Sequence, residues 1–309
     1  MLSVILPAYN EEKMVFTAID TIGSLLDDEH IPYEILLIDD GSNDHTWEKI
    51  CAVSYKDPHV RGFRFSRNFG KEAAMFAGLE QAAGDCCVVL DCDLQHPPQK
   101  IIEMYRLWEQ GYEVIEGVKE SRCKETAVRT FSAESFYRIM SKSTSFNMAN
   151  SSDFKLLDRK VVDTLNQLPE RNVFFRALSH WVGFRKTTVA YHTQERSAGE
   201  SKWSVFSLIR YALSNIISFT SAPLQVVTFL GLLMLLVSVA LGVISLLQKF
   251  SGTALSGFTT IIILQLFTGS VVMISLGIIG LYIAKIYDEC KNRPKYIISK
   301  VCGEANRGS

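Results

Sequence analysis

The chain has 309 residues, room for one large domain or two modest ones, and 48% of them are hydrophobic. Its 32 basic and 33 acidic residues leave a formal net charge of −1, which speaks against nucleic acid as a partner. Seven cysteines, with no Cys-x-x-Cys pair, argue against a zinc site and fit reduced thiols in a cytoplasm, Cys86, Cys87 and Cys92 acting as small hydrophobes.

In chain order, a strand is expected over Val4–Leu6, close enough to the N-terminus that no charged leader or signal peptide is expected before it. A helix opens at Asn10-Glu11-Glu12 and runs through Leu26. A second strand spans Glu34–Ile38, a helix Asp44–Val53, a third strand Val60–Phe65, a helix Lys71–Ala82, and a fourth strand Val88–Leu90. This alternation argues for an α/β domain with a mostly parallel sheet covered by helices on both faces. Ligands of such sheets bind beyond the carboxyl ends of the strands. Three polar clusters fall there: Pro7-Ala8-Tyr9-Asn10-Glu11, Asp39-Asp40-Gly41-Ser42 and Asp91-Cys92-Asp93. Neither a Gly-x-Gly-x-x-Gly turn nor a Walker lysine loop is present. A nucleotide would therefore be held by carboxylates, an aromatic ring and a metal, which suits a nucleoside diphosphate sugar.

The acidic cluster continues as Asp91-Cys92-Asp93-Leu94-Gln95-His96-Pro97-Pro98. Read as an extended segment, it points Asp91, Asp93 and Gln95 the same way, toward one hard cation. Oxygen ligands of this kind suit Mg²⁺ or Mn²⁺ sharing its shell with substrate phosphates. On the triplet alone, a solvated turn at a strand end explains the carboxylates equally well.

Two later stretches, Val226–Leu247 and Phe258–Ala284, are uncharged and exceed the roughly 20 residues that cross a bilayer as a helix. One cation, Lys249, lies between them, whereas Lys285, Lys291, Arg293, Lys295, Lys300 and Arg307 follow the second. The positive-inside bias puts the N-terminal region and both termini in the cytosol. Gly269, Gly277 and Gly280 allow close helix packing, between protomers of a homo-oligomer or simply as tolerated glycines. Between Trp203 and Ser221, apolar residues at helical spacing suggest a helix along the headgroups, with a packing helix of the soluble domain as the alternative.

Six motifs in order resemble family 2 glycosyltransferases of the polyprenyl-phosphate type, which include dolichol-phosphate mannose synthases and bacterial undecaprenyl-phosphate glucosyltransferases. They are Leu6 to Glu11, Ile38 to Ser42, Arg67-Asn68-Phe69-Gly70-Lys71, Asp91 to Pro98, Asp153-Phe154-Lys155-Leu156-Leu157, and Arg196-Ser197-Ala198-Gly199-Glu200-Ser201-Lys202. The resemblance covers nearly the whole chain. It implies a GT-A-type domain over residues 1–202, an interfacial helix over 203–221, two transmembrane helices within 222–288 and a basic cytosolic tail over 289–309. It further implies inverting transfer of a sugar from a UDP-sugar to undecaprenyl or polyprenyl phosphate, at the bacterial cytoplasmic membrane, for cell-envelope glycosylation. Glucose is the first choice of sugar, with N-acetylglucosamine, galactose or mannose as alternatives.

By the same resemblance, Pro7, Tyr9, Glu11, Asp39 and Asp40 hold the nucleoside, Asp39 through the imide of the base. Lys71 and Lys202 belong with the donor, and Asp91 lies near the donor sugar and, with Asp93 and Gln95, at the Mg²⁺ or Mn²⁺ site. Asp153 matches the proposed general base, and Arg196 is a catalytic anion contact. A lipid phosphate with a second pKa of about 6 is already mostly dianionic at neutral pH, so Asp153 is expected to orient more than to deprotonate. The chain departs from the pattern at Ser152, where a glycine is usual, and at His45; the stretch 144–151 matches nothing assignable. A processive polysaccharide synthase is a poor fit, because the chain lacks Gln-x-x-Arg-Trp and further membrane helices. A catalytically silent scaffold on the same fold has no use for so many carboxylates.

Overall fold

The computed structural model describes residues 1–119, 152–170, 174–192, 222–251 and 257–303. They fall into two compact units, one holding the chain from Met1 and again from Arg293, the other holding two long apolar helices.

In the first unit, β1 (Leu2–Ala8), β2 (Tyr33–Asp39), β3 (Val60–Phe65), β4 (Cys86–Val89), β5 (Val114–Lys119), β6 (Lys155–Asp158), β7 (Lys186–Tyr191) and β8 (Ile298–Cys302) form one sheet. Its order is β7-β5-β6-β4-β1-β2-β3-β8. β1 pairs in parallel with β2 and β4, and β2 with β3. β6 runs antiparallel to β4 and β5, and β8 antiparallel to β3. β2 is buried at every position, as a strand covered on both faces must be, and reads as an unbroken apolar run from Ile35 to Ile38, ending at Asp39. The helices of this unit are α1 (Val15–Asp28), α2 (Thr46–Ser54), α3 (Lys71–Gln81), α4 (Gln99–Glu109), α5 (Arg159–Gln167) and α6 (Phe175–Trp181). α1 buries Val15, Ala18, Ile19, Ile22 and Leu26, one apolar stripe at helical spacing.

This topology places the site. The chain lays β1, β2 and β3 side by side in one direction, then returns to set β4 on the other flank of β1. The reversal between β1 and β4 is the switch point at which open α/β sheets bind ligands. Pro7 to Glu11 leave β1 and Asp91 to Gln95 follow β4 at that point, with Asp39 at the end of neighbouring β2.

Two expectations are corrected here. The first helix begins at Val15 rather than at Asn10, because the intervening backbone is tied to the loop after β2. Asn10 has φ +57°. Its N–H donates to Ser42 Oγ at 2.9 Å, Asn43 N–H donates to Asn10 Oδ1 at 2.9 Å, and Glu11 N–H donates to Thr46 Oγ1 at 2.9 Å. These bonds lace the ends of β1 and β2 together, so the polar pair Glu11-Glu12 belongs to the site wall and not to a helix start. The basic tail is likewise not wholly separate from the sheet. Residues 298–302 form β8, which covers the β3 edge that would otherwise be open to pairing. Just before it, Tyr296 stacks on Phe65 at 5.0 Å and donates to Glu80, while Lys295 Nζ donates to Leu168 O at 3.1 Å.

The second unit contains α7 (Ala222–Phe250) and α8 (Phe258–Cys290). Within them, Pro223–Ile244 and Leu264–Cys290 are long and apolar enough to cross a membrane. A Cβ on Gly269, Gly277 or Gly280 would meet nothing within 4 Å. The proposed interfacial segment 203–221 and the stretch 144–151 lie outside the described residues.

Candidate active site

At the carboxyl end of β2, two adjacent carboxylates have different tasks. Asp39 is fully buried. Its Oδ1 accepts from Ser42 N–H at 2.9 Å, and its Oδ2 lies 3.3 Å from Arg64 Nε without a hydrogen bond. Burial raises the Asp39 pKa, against the opposing pull of Ser42 and Arg64. That buried, unsaturated oxygen can accept from a ligand N–H. Asp40 faces the loop after β3 instead. It accepts from Phe69 N–H at 2.6 Å and Gly70 N–H at 2.9 Å, and burial pushes its pKa up to about 6. In this position Asp40 fixes the Arg67–Gly70 loop. Gly41 makes this possible at φ +69°, where a Cβ would sit 2.6 Å from the Arg67 carbonyl carbon. Gly41→Ala is expected to cost about 2 kcal/mol or more in a denaturant melt, with left-handed strain and the clash acting together.

Tyr9 stands exposed beside Pro7 at the end of β1. Glu11 sits in the laced loop described above. Both positions lie beyond the end of β1, at the mouth of the switch point.

The acidic segment after β4 is not extended, which corrects the argument from alternating side chains. Asp91 to Leu94 form a turn, with Leu94 N–H directed to Asp91 O at 3.4 Å and φ +53° at Leu94. Leu94 packs on Met14, Ala18 and Cys92, and Asp93 Oδ1 accepts from Gln95 N–H at 3.1 Å. Apolar anchoring and this Asx-type bond curl the chain. Carboxylates and a carboxamide within one turn still offer the oxygen donors that a hard divalent cation needs. Among the described residues no three His, Cys, Asp or Glu converge as a metal site. His96 lies between Phe154 and Tyr191, with centroids 5.1 and 5.4 Å away, beside the turn.

Lys71, first residue of α3, connects this turn to Asp153. Its Nζ is 2.6 Å from Asp91 Oδ1 and 2.9 Å from Asp153 Oδ2. Arg176 on α6 grips the same Asp153 with two nitrogens, Nε to Oδ1 at 2.6 Å and Nη2 to Oδ2 at 3.0 Å. Burial alone would raise the Asp153 pKa, but Arg176 and then Lys71 overrule it and hold the carboxyl well below the usual range. Glu72 Oε2 accepts from Phe175 N–H at 2.9 Å and so docks the start of α6 on α3. Burial, and next the Asp153 charge, push the Glu72 pKa up to about 7.

Behind Asp153 lies a buried charged network that the sequence reading missed. Lys155 Nζ is 3.2 Å from Glu116 Oε1 and 2.8 Å from Ser179 Oγ, and His180 Nε2 is 3.0 Å from Glu116 Oε2. Glu116 also accepts from Ser152 N–H at 3.2 Å. The Ser152 hydroxyl, at a position where glycine was expected, donates to Gly117 O at 2.6 Å. The network thus fixes the backbone leading into Asp153 and ties it to α6, the helix that carries Arg176. A lone Glu in Val114-Ile115-Glu116-Gly117-Val118 and a lone Lys in Phe154-Lys155-Leu156-Leu157 were the available signals, since a charge inside an apolar strand needs a buried partner.

The structure therefore unites Lys71, Asp91 and Asp153 from the expected set, adds Arg176, and leaves Asp93 and Gln95 on the adjoining turn. Arg196 and Lys202 lie outside the described residues.

The chain is similar to known proteins. The model of the family described as glycosyl transferase family 2 matches residues 3–165. A bactoprenol glucosyl transferase of Shigella phage SfII is 37% identical over 97% of this chain and 97% of its own. An uncharacterized glycosyltransferase of Bacillus subtilis is 38% identical over 99% of this chain and 95% of its own. Among solved structures, glucosyl-3-phosphoglycerate synthase from Mycobacterium tuberculosis, in complex with Mn²⁺, UDP-glucose and phosphoglyceric acid, aligns with a TM-score of 0.51 at 18% identity. That match covers 71% of this chain and 79% of the other, and it shows a shared GT-A-like fold.

Proposed function

Because this chain belongs to glycosyl transferase family 2, we propose that it is a membrane-bound inverting enzyme that moves glucose from UDP-glucose to polyprenyl phosphate. The observation that carries the reading is the full-length likeness to a bactoprenol glucosyl transferase. A likeness limited to the first half of the chain would support sugar transfer without indicating a lipid acceptor.

The residues divide the work as follows. Pro7, Tyr9 and Glu11 flank the nucleoside, and the free oxygen of Asp39 accepts from the base imide. Asp91, Asp93 and Gln95 would hold Mg²⁺ or Mn²⁺, which when bound neutralises charge on the departing diphosphate. Lys71 stands between the donor phosphates and Asp153. Arg196 and Lys202 contact the diphosphate or the lipid phosphate. The acceptor phosphate is its own nucleophile, largely dianionic above about pH 6. Asp153, locked by Arg176 and Lys71, orients these cations at the reacting centre and carries no proton at working pH. Attack opposite the leaving diphosphate in one displacement inverts the sugar carbon.

Two apolar helices serve as a membrane hairpin, with the catalytic unit and both termini on the cytosolic face. The cations after the second span support this sidedness. So does β8, which follows that span yet pairs with β3, as an even number of crossings requires. The open glycine face of α8 leaves room for a second copy of the chain. The product would be a lipid-linked sugar for cell-envelope glycosylation.

A donor panel tests the reading. Purified protein in lipid nanodiscs is incubated with polyprenyl phosphate and radiolabelled UDP-glucose, UDP-N-acetylglucosamine, UDP-galactose or GDP-mannose. Lipid-phase label is expected from UDP-glucose above all others; preference for another donor would reassign the sugar, and label from none would favour a silent scaffold.

A further inference from the structure

Lys71 has two carboxylate partners that belong to different parts of the reaction. Gly70, at φ +100°, turns the chain into α3 so that Lys71 is its first residue. From there the ammonium reaches Asp91 Oδ1 at 2.6 Å and Asp153 Oδ2 at 2.9 Å. The Lys71 side chain is nonetheless 42% exposed. A flexible four-carbon stem with a solvent-facing path lets the ammonium move without disturbing the fold.

We infer that Lys71 competes with a divalent cation for Asp91, and yields that carboxylate only when a nucleoside diphosphate draws the ammonium onto its phosphates. This rests on the reading above in taking a nucleoside diphosphate as donor. An ammonium in contact with Asp91 repels a second cation approaching the same carboxylate, and the repulsion is strong at such separations even at intermediate dielectric. On leaving Asp91 the ammonium keeps only its contact with Asp153 Oδ2, a carboxylate whose charge Arg176 already shares through two hydrogen bonds. Phosphate oxygens arriving with the cation supply the missing anion. Cation and nucleotide should therefore bind cooperatively, each favouring the other by the same factor. The device would prevent the acidic turn from trapping a metal ion without its substrate.

The test uses full-length protein in nanodiscs, with free Mn²⁺ followed by electron paramagnetic resonance in the absence and presence of UDP. For the native protein, UDP is expected to tighten Mn²⁺ binding about tenfold or more. Lys71→Met and Lys71→Gln are expected to bind Mn²⁺ alone about tenfold more tightly than the native protein, and to lose most of the gain from UDP. Lys71→Arg should keep the native pattern. If Lys71 only braced the turn, its loss would leave Mn²⁺ affinity unchanged or weaker, and that result overturns the inference. A native protein with no UDP effect on Mn²⁺ overturns it as well, even should the variants not fold. Since the readout is metal and UDP on the protein, failure of sugar transfer to lipid would remove the proposed reaction while leaving this result standing.

Discussion

Arg176→Ala is expected to reduce sugar transfer by about 100-fold or more, although Arg176 lies outside every motif by which the chain is recognised. Its two hydrogen bonds hold Asp153 in place, and without them the buried carboxylate is left to its contact with Lys71. Asp153→Asn should fall by a similar factor, and its pH dependence distinguishes orientation from proton abstraction. Held well below the usual carboxylate range by Arg176 and Lys71, Asp153 stays ionised throughout the working range and contributes no limb to the rate profile. An acid limb near pH 6, if present, then belongs to the lipid phosphate at about its second pKa. It should keep its midpoint in Asp153→Asn while the plateau drops. A midpoint that moves or vanishes in that variant would make Asp153 the base after all. The same depression has a stability consequence: the Asp153 contribution is full above the unfolded carboxylate range, about pH 4, and is lost only as strong acid takes the pH through the folded value.

The largest stability effect is expected behind the site. Lys155 is fully buried, and its partner Glu116 nearly so. Removing one member of such a pair strands the other charge, at a cost of about 3–5 kcal/mol. Lys155→Met or Glu116→Gln should therefore lower the melting temperature by on the order of 10 °C. The double variant Glu116→Leu, Lys155→Met removes both charges and should recover much of the loss, although His180 then loses its Glu116 contact. Activity should not recover with it, because Ser152 N–H loses its acceptor and the approach to Asp153 loosens. Additive losses in the double variant would show that the two residues do not act as a pair.

These residues mark the boundary of what the chain discloses as a string. The β-α-β rhythm of the first 90 residues was legible because buried parallel strands read as apolar runs and amphipathic helices keep their period. The strand-end carboxylates were legible because they interrupt those runs. The onset of α1 was not, since Asn10 and Glu11 spend their amides on a loop more than thirty positions away. Nor was the curl of the acidic turn, which depends on where Leu94 packs. β8 is short, exposes Ser299, Lys300 and Val301 together, and pairs with a strand far back in the sequence, so nothing local announces it. Arg176 resembled any surface arginine of a short helix. Only its distance to Asp153 gives it a role.

The proposed function requires that the Asp91–Gln95 turn support glucose transfer from UDP-glucose to a polyprenyl phosphate. The most direct test compares native and Asp93→Ala protein at equal amounts in the same nanodiscs, with radiolabelled UDP-glucose, undecaprenyl phosphate and Mg²⁺ or Mn²⁺, by counting label in the lipid phase. Robust labelling by the native protein and a fall of about 100-fold or more in the variant are expected. Equal labelling by the two proteins would contradict the proposed function.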